Sequence, residues 1–336
     1  MKLIRGLKNF SKLTKPCVLT IGNFDGVHLA HQKILQQVVQ AAKKVDAISV
    51  VMIFEPTPQE FFLGKKAPAR LTSLREKLSL FRVQEVDIVW LLPFNKQLAE
   101  LSGEEFIQDV LLDKLNLKKL IMGDDFQFGK NRSGDFALLK KFAAQHDFAL
   151  TCTAEIIQDN ERISSTRIRH CLEKGNVAMV EPLLGRPYCI TGRVLHGAKR
   201  GRQLGFPTAN IGLKRIVVPL NGVYAVKVFS PHPNPPPCSS TREGIRNSSS
   251  FPRLRTLWGT GGKARMGVAN IGTRPTVNGT RTLLEVHLFD FNQEIYGQLI
   301  EVEFCHKLRD EQRFASLDEL KAHIAQDVID AKQFFN

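Results

Sequence analysis

Residues 18–35 read VLTIGNFDGVHLAHQKIL, and the order of residue types here decides the first half of the chain. Val18–Ile21 reads as a short strand. Gly22, Asn23, Asp25 and Gly26 then supply turn chemistry, and the two glycines permit a tight turn close to a ligand. From His28 the period changes: Ile34, Leu35, Val38 and Val39 recur as one face of a helix running to Ala42. A strand, a glycine turn and a helix N-terminus in succession form an anion site, because free N–H groups and the positive end of the helix dipole face the turn. His28 and His31 share the first helical turn. From there both imidazoles can stabilise charge during transfer at phosphorus. The plain alternative is that one histidine caps the helix and the other is solvated.

The pattern continues outward. Ala47–Phe54 is a continuous apolar run, as in a buried parallel strand. Leu74–Phe81, Gly103–Leu115 and Asp135–Gln145 have helical period. Val86–Leu92, Lys119–Met122 and Phe148–Thr153 read as strands. Alternating strands and helices predict a doubly wound, Rossmann-like α/β domain over residues 1–184, with ligands at the C-terminal ends of its strands.

The texture changes at LGRP, residues 184–187. Short strands separated by Gly, Pro and Asn follow: Ile190–Leu195, Gly222–Phe229, Gly267–Ile271, Leu283–Phe289 and Leu299–Phe304. They predict a small antiparallel β-barrel over 185–336. A terminal helix is capped by Ser316 with Glu319 and presents Leu317, Leu320, Ile324 and Val328 on its apolar face.

Residues 230–265, SPHPNPPPCSSTREGIRNSSSFPRLRTLWGTGGKAR, fit neither pattern. They hold six Pro, six Ser, six Lys or Arg and one acidic residue, a composition expected to stay irregular or disordered as an insertion between two paired strands. The segment carries +5 of the +14 formal charge of the 336-residue chain, so part of the basic excess belongs to a loop. A basic balance favours anionic partners, among them phosphorylated small molecules and nucleic acid. No apolar run is long enough to span a bilayer, and the first residues lack the apolar core of a signal peptide. The six cysteines are scattered without C-x-x-C or zinc spacing, so a reduced cytoplasmic setting with no membrane partner is expected. The sequence carries no signal of oligomeric state.

Four further stretches carry chemistry. ISSTRIR (163–169) packs two serines, a threonine and two arginines into seven residues, an anion binder or else a capped helix with solvated arginines. MGDDFQFGKNRSGD (122–135) follows a strand and sets Phe126 and Phe128 among acidic and basic residues. The aromatics can stack on a flat ring or simply fill a turn, and FEPTP (54–58) resembles it as a stiffened loop after a strand. GRQLGFPTAN (201–210) is a glycine-bearing loop whose N–H groups can cradle phosphate, with Thr208 a hard ligand for Mg²⁺; an ordinary turn is the alternative. LLEVHLFDF (283–291) alternates so that Glu285 and His287 share one face. Glu285 is a candidate general base for a hydroxyl, and His287 reads as a solvent-facing strand residue.

Taken together, these motifs with LTSLREK, GVYAV, GVANIGTRPTV and RDEQRFASLDEL occur in the order found in bacterial bifunctional riboflavin kinase/FMN adenylyltransferases, also called FAD synthetases. The chain resembles that family from about residue 15 to 335, leaving out 230–265. The resemblance implies an N-terminal nucleotidylyltransferase domain that joins FMN to the AMP moiety of ATP, and a C-terminal riboflavin kinase barrel. It implies that His28 and His31 stabilise the transferring phosphate. Gly22, Asn23, Phe24, Asp25 and Gly26 would hold the nucleotide, Asn23 and Asp25 its metal as well, and Ser164, Thr166, Arg167 and Arg169 phosphates. Asp125, Phe126 and Phe128 would face the flavin. In the kinase, Gly205, Phe206 and Pro207 would lie on ATP, Thr208 and Asn210 would ligate Mg²⁺, Glu285 would deprotonate riboflavin, and Arg309 would belong to a flavin-side flap. Ala30 stands where the family has the glycine of H-x-G-H.

Two other readings are weighed against this one. In the first, the insertion breaks the barrel and only adenylyl transfer remains. In the second, the chain is a basic nucleic-acid-binding protein. The absence of interleaved aromatics and of a helix-turn-helix or RNA-binding signature counts against it.

Overall fold

The computed structural model describes residues 1–123, 125–196, 205–230, 264–276 and 279–336. The packing of the chain divides it into two units, Met1–Pro68 with Leu74–Ser164, and Ala69–Ser73 with Ser165–Asn336.

The first unit is built on a six-stranded sheet in the order β1-β4-β3-β2-β5-β6. Its strands are β1 (Lys2–Arg5), β2 (Cys17–Ile21), β3 (Ile48–Phe54), β4 (Ile88–Leu92), β5 (Leu117–Gly123) and β6 (Ala149–Thr153), and every pairing is parallel. Both faces of the sheet are covered, which is why β2 and β4 are buried at every position rather than alternating. Leu19, Ile21, Met52 and Trp90 point into one core with Phe106, Ile107, Val110 and Leu111. Val18 and Ile121 point to the other face, against Val38 and Ala42 of helix α1 (Leu29–Lys44). Trp90 is fully buried and its indole N–H donates to the Gly6 carbonyl, so the polar end of this ring is satisfied.

Four more helices follow α1 in this unit: α2 (Pro58–Leu63), α3 (Leu74–Val83), α4 (Lys96–Glu100) and α5 (Gly103–Glu105). A sixth, α6 (Phe136–His146), follows β5. The helix expected over 103–115 is correct in place, but from Phe106 to Leu112 it is a π-helix. Two elements escaped the pattern. β1 is four residues long, and β7 (Ile157–Gln158) with β8 (Glu161–Arg162) forms a two-residue ladder too short for alternation to register.

Strand order fixes where a ligand can sit. From β2 the chain moves to β3 and β4 on one side, then returns to β5 and β6 on the other. The reversal between β2 and β5 opens a crevice at their C-terminal ends. The turn after Ile21 and the segment after Gly123 both leave from that edge.

The second unit contains α7 (Ser165–Glu173), α8 (Val180–Leu184) and a closed antiparallel barrel in the order β10-β13-β12-β11-β14-β9. The strands are β9 (Cys189–Leu195), β10 (Thr208–Gly212), β11 (Gly222–Phe229), β12 (Arg265–Thr276), β13 (Gly279–Leu288) and β14 (Leu299–Arg309). Ala269, Ile271, Leu284 and Val286 are buried inside the barrel. Val223 and Val268 face outward against Ala331 of the terminal helix α9 (Leu317–Phe335), whose Ser316 cap forms as the sequence requires.

Packing therefore divides the chain at Ser164/Ser165 and not at the 184/185 boundary, where strand texture changes. The reason is that α7, the short 3₁₀ turn Val177–Met179 and α8 pack on one another, and that turn packs on β14. The stretch expected to be an irregular insertion, 230–265, lies outside the described residues except at its ends. Those ends are in register: Val228 of β11 pairs with Arg265 of β12.

Candidate active sites

At the switch point, β2 ends in a turn whose backbone is shaped for close approach. Phe24, Gly26 and Val27 all have positive φ, at 47°, 81° and 43°. Gly22 donates its N–H to the Met52 carbonyl, tying the turn to β3. His28 is the N-cap of α1 and not its first helical residue; its Nδ1 accepts from the His31 N–H at 3.4 Å. Because Nδ1 is an acceptor, the neutral ring carries its proton on Nε2. The two imidazoles are stacked, with centroids 3.6 Å apart and planes 18° from parallel. Phe24 packs between His31 and Phe81. Ala30 lies within α1 with no positive φ, so alanine is tolerated there by the backbone.

The electrostatics of this turn are unusual. Burial, the His28 ring and Lys77 together push the His31 pKa well below its ordinary value, so His31 is neutral at pH 7. Lys77 is 1% exposed, and its Nζ donates to the Asn23 carbonyl at 2.5 Å. Sequence reasoning gave Lys77 no role, yet a signal existed: Leu74, Lys77 and Phe81 share the apolar face of α3, where a lysine is out of place. Asp25 is also buried. Thr20 Oγ1, Asn23 Oδ1 and His31 Nδ1 are buried with no hydrogen-bond partner among the described residues. Buried polar atoms are normally satisfied, so three orphans around one turn mark a place for a polar ligand.

On the same edge, an aromatic cluster gathers after β3 and β4. Phe94 packs edge-on against Phe54, Phe61 and Phe62, and Phe62 is 65% exposed. Thr57 and Glu60 form a capping box that fixes α2, which carries two of these rings. This surface was not foreseen beyond the stiffened FEPTP loop.

The segment after β5 divides its residues. Asp125 is exposed and paired with Arg162 of β8 at 3.0 Å. Phe126 is half-buried and stacks on Phe128. Phe128 itself is a core residue. It packs on Phe106, and its ring occupies the space a Cβ would need at Gly134. Of the three expected to face a flavin, Phe128 is thus turned inward and fills the turn.

Ile163 and Ser164 close the first unit, and ISSTRIR continues into α7 in the second. Thr166 is exposed there, Arg167 is half-buried, and Arg169 donates from Nε to the Ala69 carbonyl at 2.6 Å.

In the barrel, Thr208, Ala209 and Asn210 are strand residues, not the end of a loop. Gly205 has φ 84°, and Pro207 leads directly into β10. Register brings the predicted residues together. Thr208 lies opposite His287, and Asn210 opposite Glu285. Directly opposed residues of an antiparallel pair place their side chains on the same face. On the other side of β13, Glu285 lies opposite Asn270. His287 does more than face solvent: its Nδ1 bonds the Pro207 carbonyl at 2.9 Å and its ring meets Phe206 edge-on. Arg309 is held at the end of β14 by a two-point ion pair with the buried Asp327 of α9, at 2.7 and 2.8 Å.

The oxygen donors Thr208 and Asn210 suit a hard cation such as Mg²⁺. Among the described residues no three His, Cys, Asp or Glu gather into a metal cage. An ion here would be held largely by the phosphates it accompanies.

Comparison with known proteins places these sites in context. A family model described as FAD synthetase matches residues 10–167, and one described as riboflavin kinase matches residues 184–335. The chain is 46% identical over 336 residues to a bifunctional riboflavin kinase/FMN adenylyltransferase of Haemophilus influenzae, covering 100% of both chains. It is 47% identical to the protein of the same name from Escherichia coli K12, covering 100% of this chain and 98% of the relative. A crystal structure described as a macrolide-efflux protein from Streptococcus pneumoniae superposes with a TM-score of 0.73 at 28% identity, covering 97% of this chain and 96% of that one. Among the described residues of the present chain, no helix is long and apolar enough to cross a membrane.

Proposed function

The chain belongs to the bifunctional riboflavin kinase/FMN adenylyltransferase family, and on that premise we propose how its residues divide the work. The overall reaction is two-step synthesis of FAD: ATP phosphorylates riboflavin to FMN, and FMN then takes AMP from a second ATP, releasing pyrophosphate. Residues 1–184 serve adenylyl transfer and 185–336 the kinase.

In adenylyl transfer the FMN phosphate oxygen forms a bond to the α-phosphorus of ATP as the bond to the β-phosphate oxygen breaks. His28 and neutral His31 donate N–H groups to the oxygens of the transferring phosphate. Gly22, Asn23, Phe24, Asp25 and Gly26 wrap the nucleotide, and Ser164, Thr166, Arg167 and Arg169 hold phosphates. Asp125 and Phe126 meet the flavin, with the exposed Phe62–Phe94 surface as its apolar floor. The observation that carries this assignment is the trio of orphaned buried atoms beside the stacked imidazoles.

In the kinase, Glu285 takes the proton from the riboflavin 5′-hydroxyl as the hydroxyl oxygen bonds to the γ-phosphorus of ATP and the bond from that phosphorus to the β-phosphate oxygen breaks, releasing ADP. Thr208 and Asn210 would hold Mg²⁺, which when bound neutralises phosphate charge. Gly205, Phe206 and Pro207 lie along ATP, steadied by His287. Catalysis at both sites is mainly positioning and charge stabilisation. The in-register pairing of β11 with β12 beside 231–263 favours an intact barrel over a broken one. The setting is cytoplasmic, supported by five described cysteines that are all free thiols.

Supplying riboflavin, ATP and Mg²⁺ and resolving the flavins by chromatography tests the assignment. FMN appearing first and FAD after it is expected. FAD from supplied FMN but nothing from riboflavin would leave adenylyl transfer alone, and neither product would refute both.

A further inference from the structure

One residue on the face that carries Glu285 has no role so far. Asn210, Glu285, Asn270, Val223 and Arg309 stand opposite one another on five successive barrel strands. They form one row across the outer face, the face on which Val223 and Val268 pack against α9. Asn270 is the immediate neighbour of Glu285 on the side away from Asn210. Its Oδ1 is buried with no hydrogen-bond partner among the described residues. An amide oxygen left in this state costs stability unless a ligand satisfies it. Two positions further along β12, the carboxylate of Glu311 lies in the space a Cβ of Gly272 would fill, so the face stays polar beyond Asn270.

The order of the row says which ligand group belongs there. Asn210 and Thr208 lie on one side of Glu285, and Arg309 lies three strands away on the other, roughly 14 Å at ordinary strand spacing. With the nucleotide on the Asn210 side of Glu285, riboflavin lies on the other side, and the polyol chain joining its ring to the reacting hydroxyl meets Asn270. We propose that Asn270 recognises the ribityl chain of riboflavin: its Oδ1 accepts a hydrogen bond from a chain hydroxyl and so holds the 5′-hydroxyl toward Glu285. This rests on the kinase assignment above and makes Asn270 a substrate-positioning residue.

The test compares wild type with Asn270→Ala and Asn270→Ser. It reads KM for riboflavin and for ATP, riboflavin binding by quenching of flavin fluorescence, and inhibition by lumiflavin, which keeps the ring and lacks the chain. Loss of one neutral hydrogen bond predicts about a five- to tenfold rise in the riboflavin KM and dissociation constant. The ATP KM and the lumiflavin inhibition constant stay unchanged. A rise in the ATP KM instead would put Asn270 on the nucleotide side and overturn the proposal. Equal weakening of riboflavin and lumiflavin, or no change in either variant, would overturn it too. Glu285→Gln separates the two readings. It should bind riboflavin normally and fail to phosphorylate it, and if it phosphorylates at the wild-type rate the kinase assignment fails on its own account.

Discussion

His28 and His31 show how much a pair of residues depends on its immediate surroundings. Burial makes a charged ring costly at His31, and the His28 ring stacked at 3.6 Å and the nearby Lys77 add to that cost, so His31 gives up its proton. This has a consequence for stability. The unfolded chain takes up a proton at this residue below its ordinary pKa of 6.5, whereas the folded protein resists it. The stabilisation is complete above pH 6.5 and is lost as pH falls toward the depressed folded value, by about 1.4 kcal/mol per pH unit. Denaturant unfolding midpoints measured from pH 7 to pH 5 should therefore fall more steeply for the wild type than for His31→Gln; parallel curves would mean that His31 is protonated in the fold. The H-x-x-H spacing was legible as a pair of rings brought together at the head of a helix. For Lys77 the sequence shows only a lysine misplaced on an apolar helix face, and the turn folded over α3 reveals what it holds.

Elements were legible where a local period ran long enough. α1, β3 and β11 stand where the pattern put them, and β11 has the same bounds, Gly222–Phe229. β10 was hidden because Thr208–Gly212 follows a Gly-Phe-Pro lead and reads as the tail of a loop. The loop after β5 shows how an element can be misread in the other direction. Its aromatics suggested a ring-stacking surface, but Gly103, Gly129 and Gly134 approach one another so closely that Phe128 is clamped inside. Gly134→Ala should push against this ring and cost about 1–3 kcal/mol, as overpacking does. Thermal unfolding would show it as a lowered midpoint, and an unchanged midpoint would mean that Phe128 is free to turn outward.

At the scale of the whole molecule, register is what the sequence could not reveal. Pattern alone places Asn210, Glu285 and Asn270 on separate strands; only closure of the barrel sets them side by side. The same closure bears on the basic segment between β11 and β12. Since Val228 and Arg265 pair in register, replacing residues 231–263 with a short turn should leave riboflavin phosphorylation within about threefold. Activity gained from nothing on that deletion would show that the segment blocks the kinase. The central claim is that two separate residue sets carry two successive reactions. It is tested most directly by following flavins from riboflavin and ATP in His28→Ala and Glu285→Gln. The account predicts that His28→Ala accumulates FMN and makes little FAD, while Glu285→Gln makes no FMN yet converts supplied FMN to FAD at the wild-type rate. Loss of riboflavin phosphorylation in His28→Ala, or of FAD formation from FMN in Glu285→Gln, would contradict it.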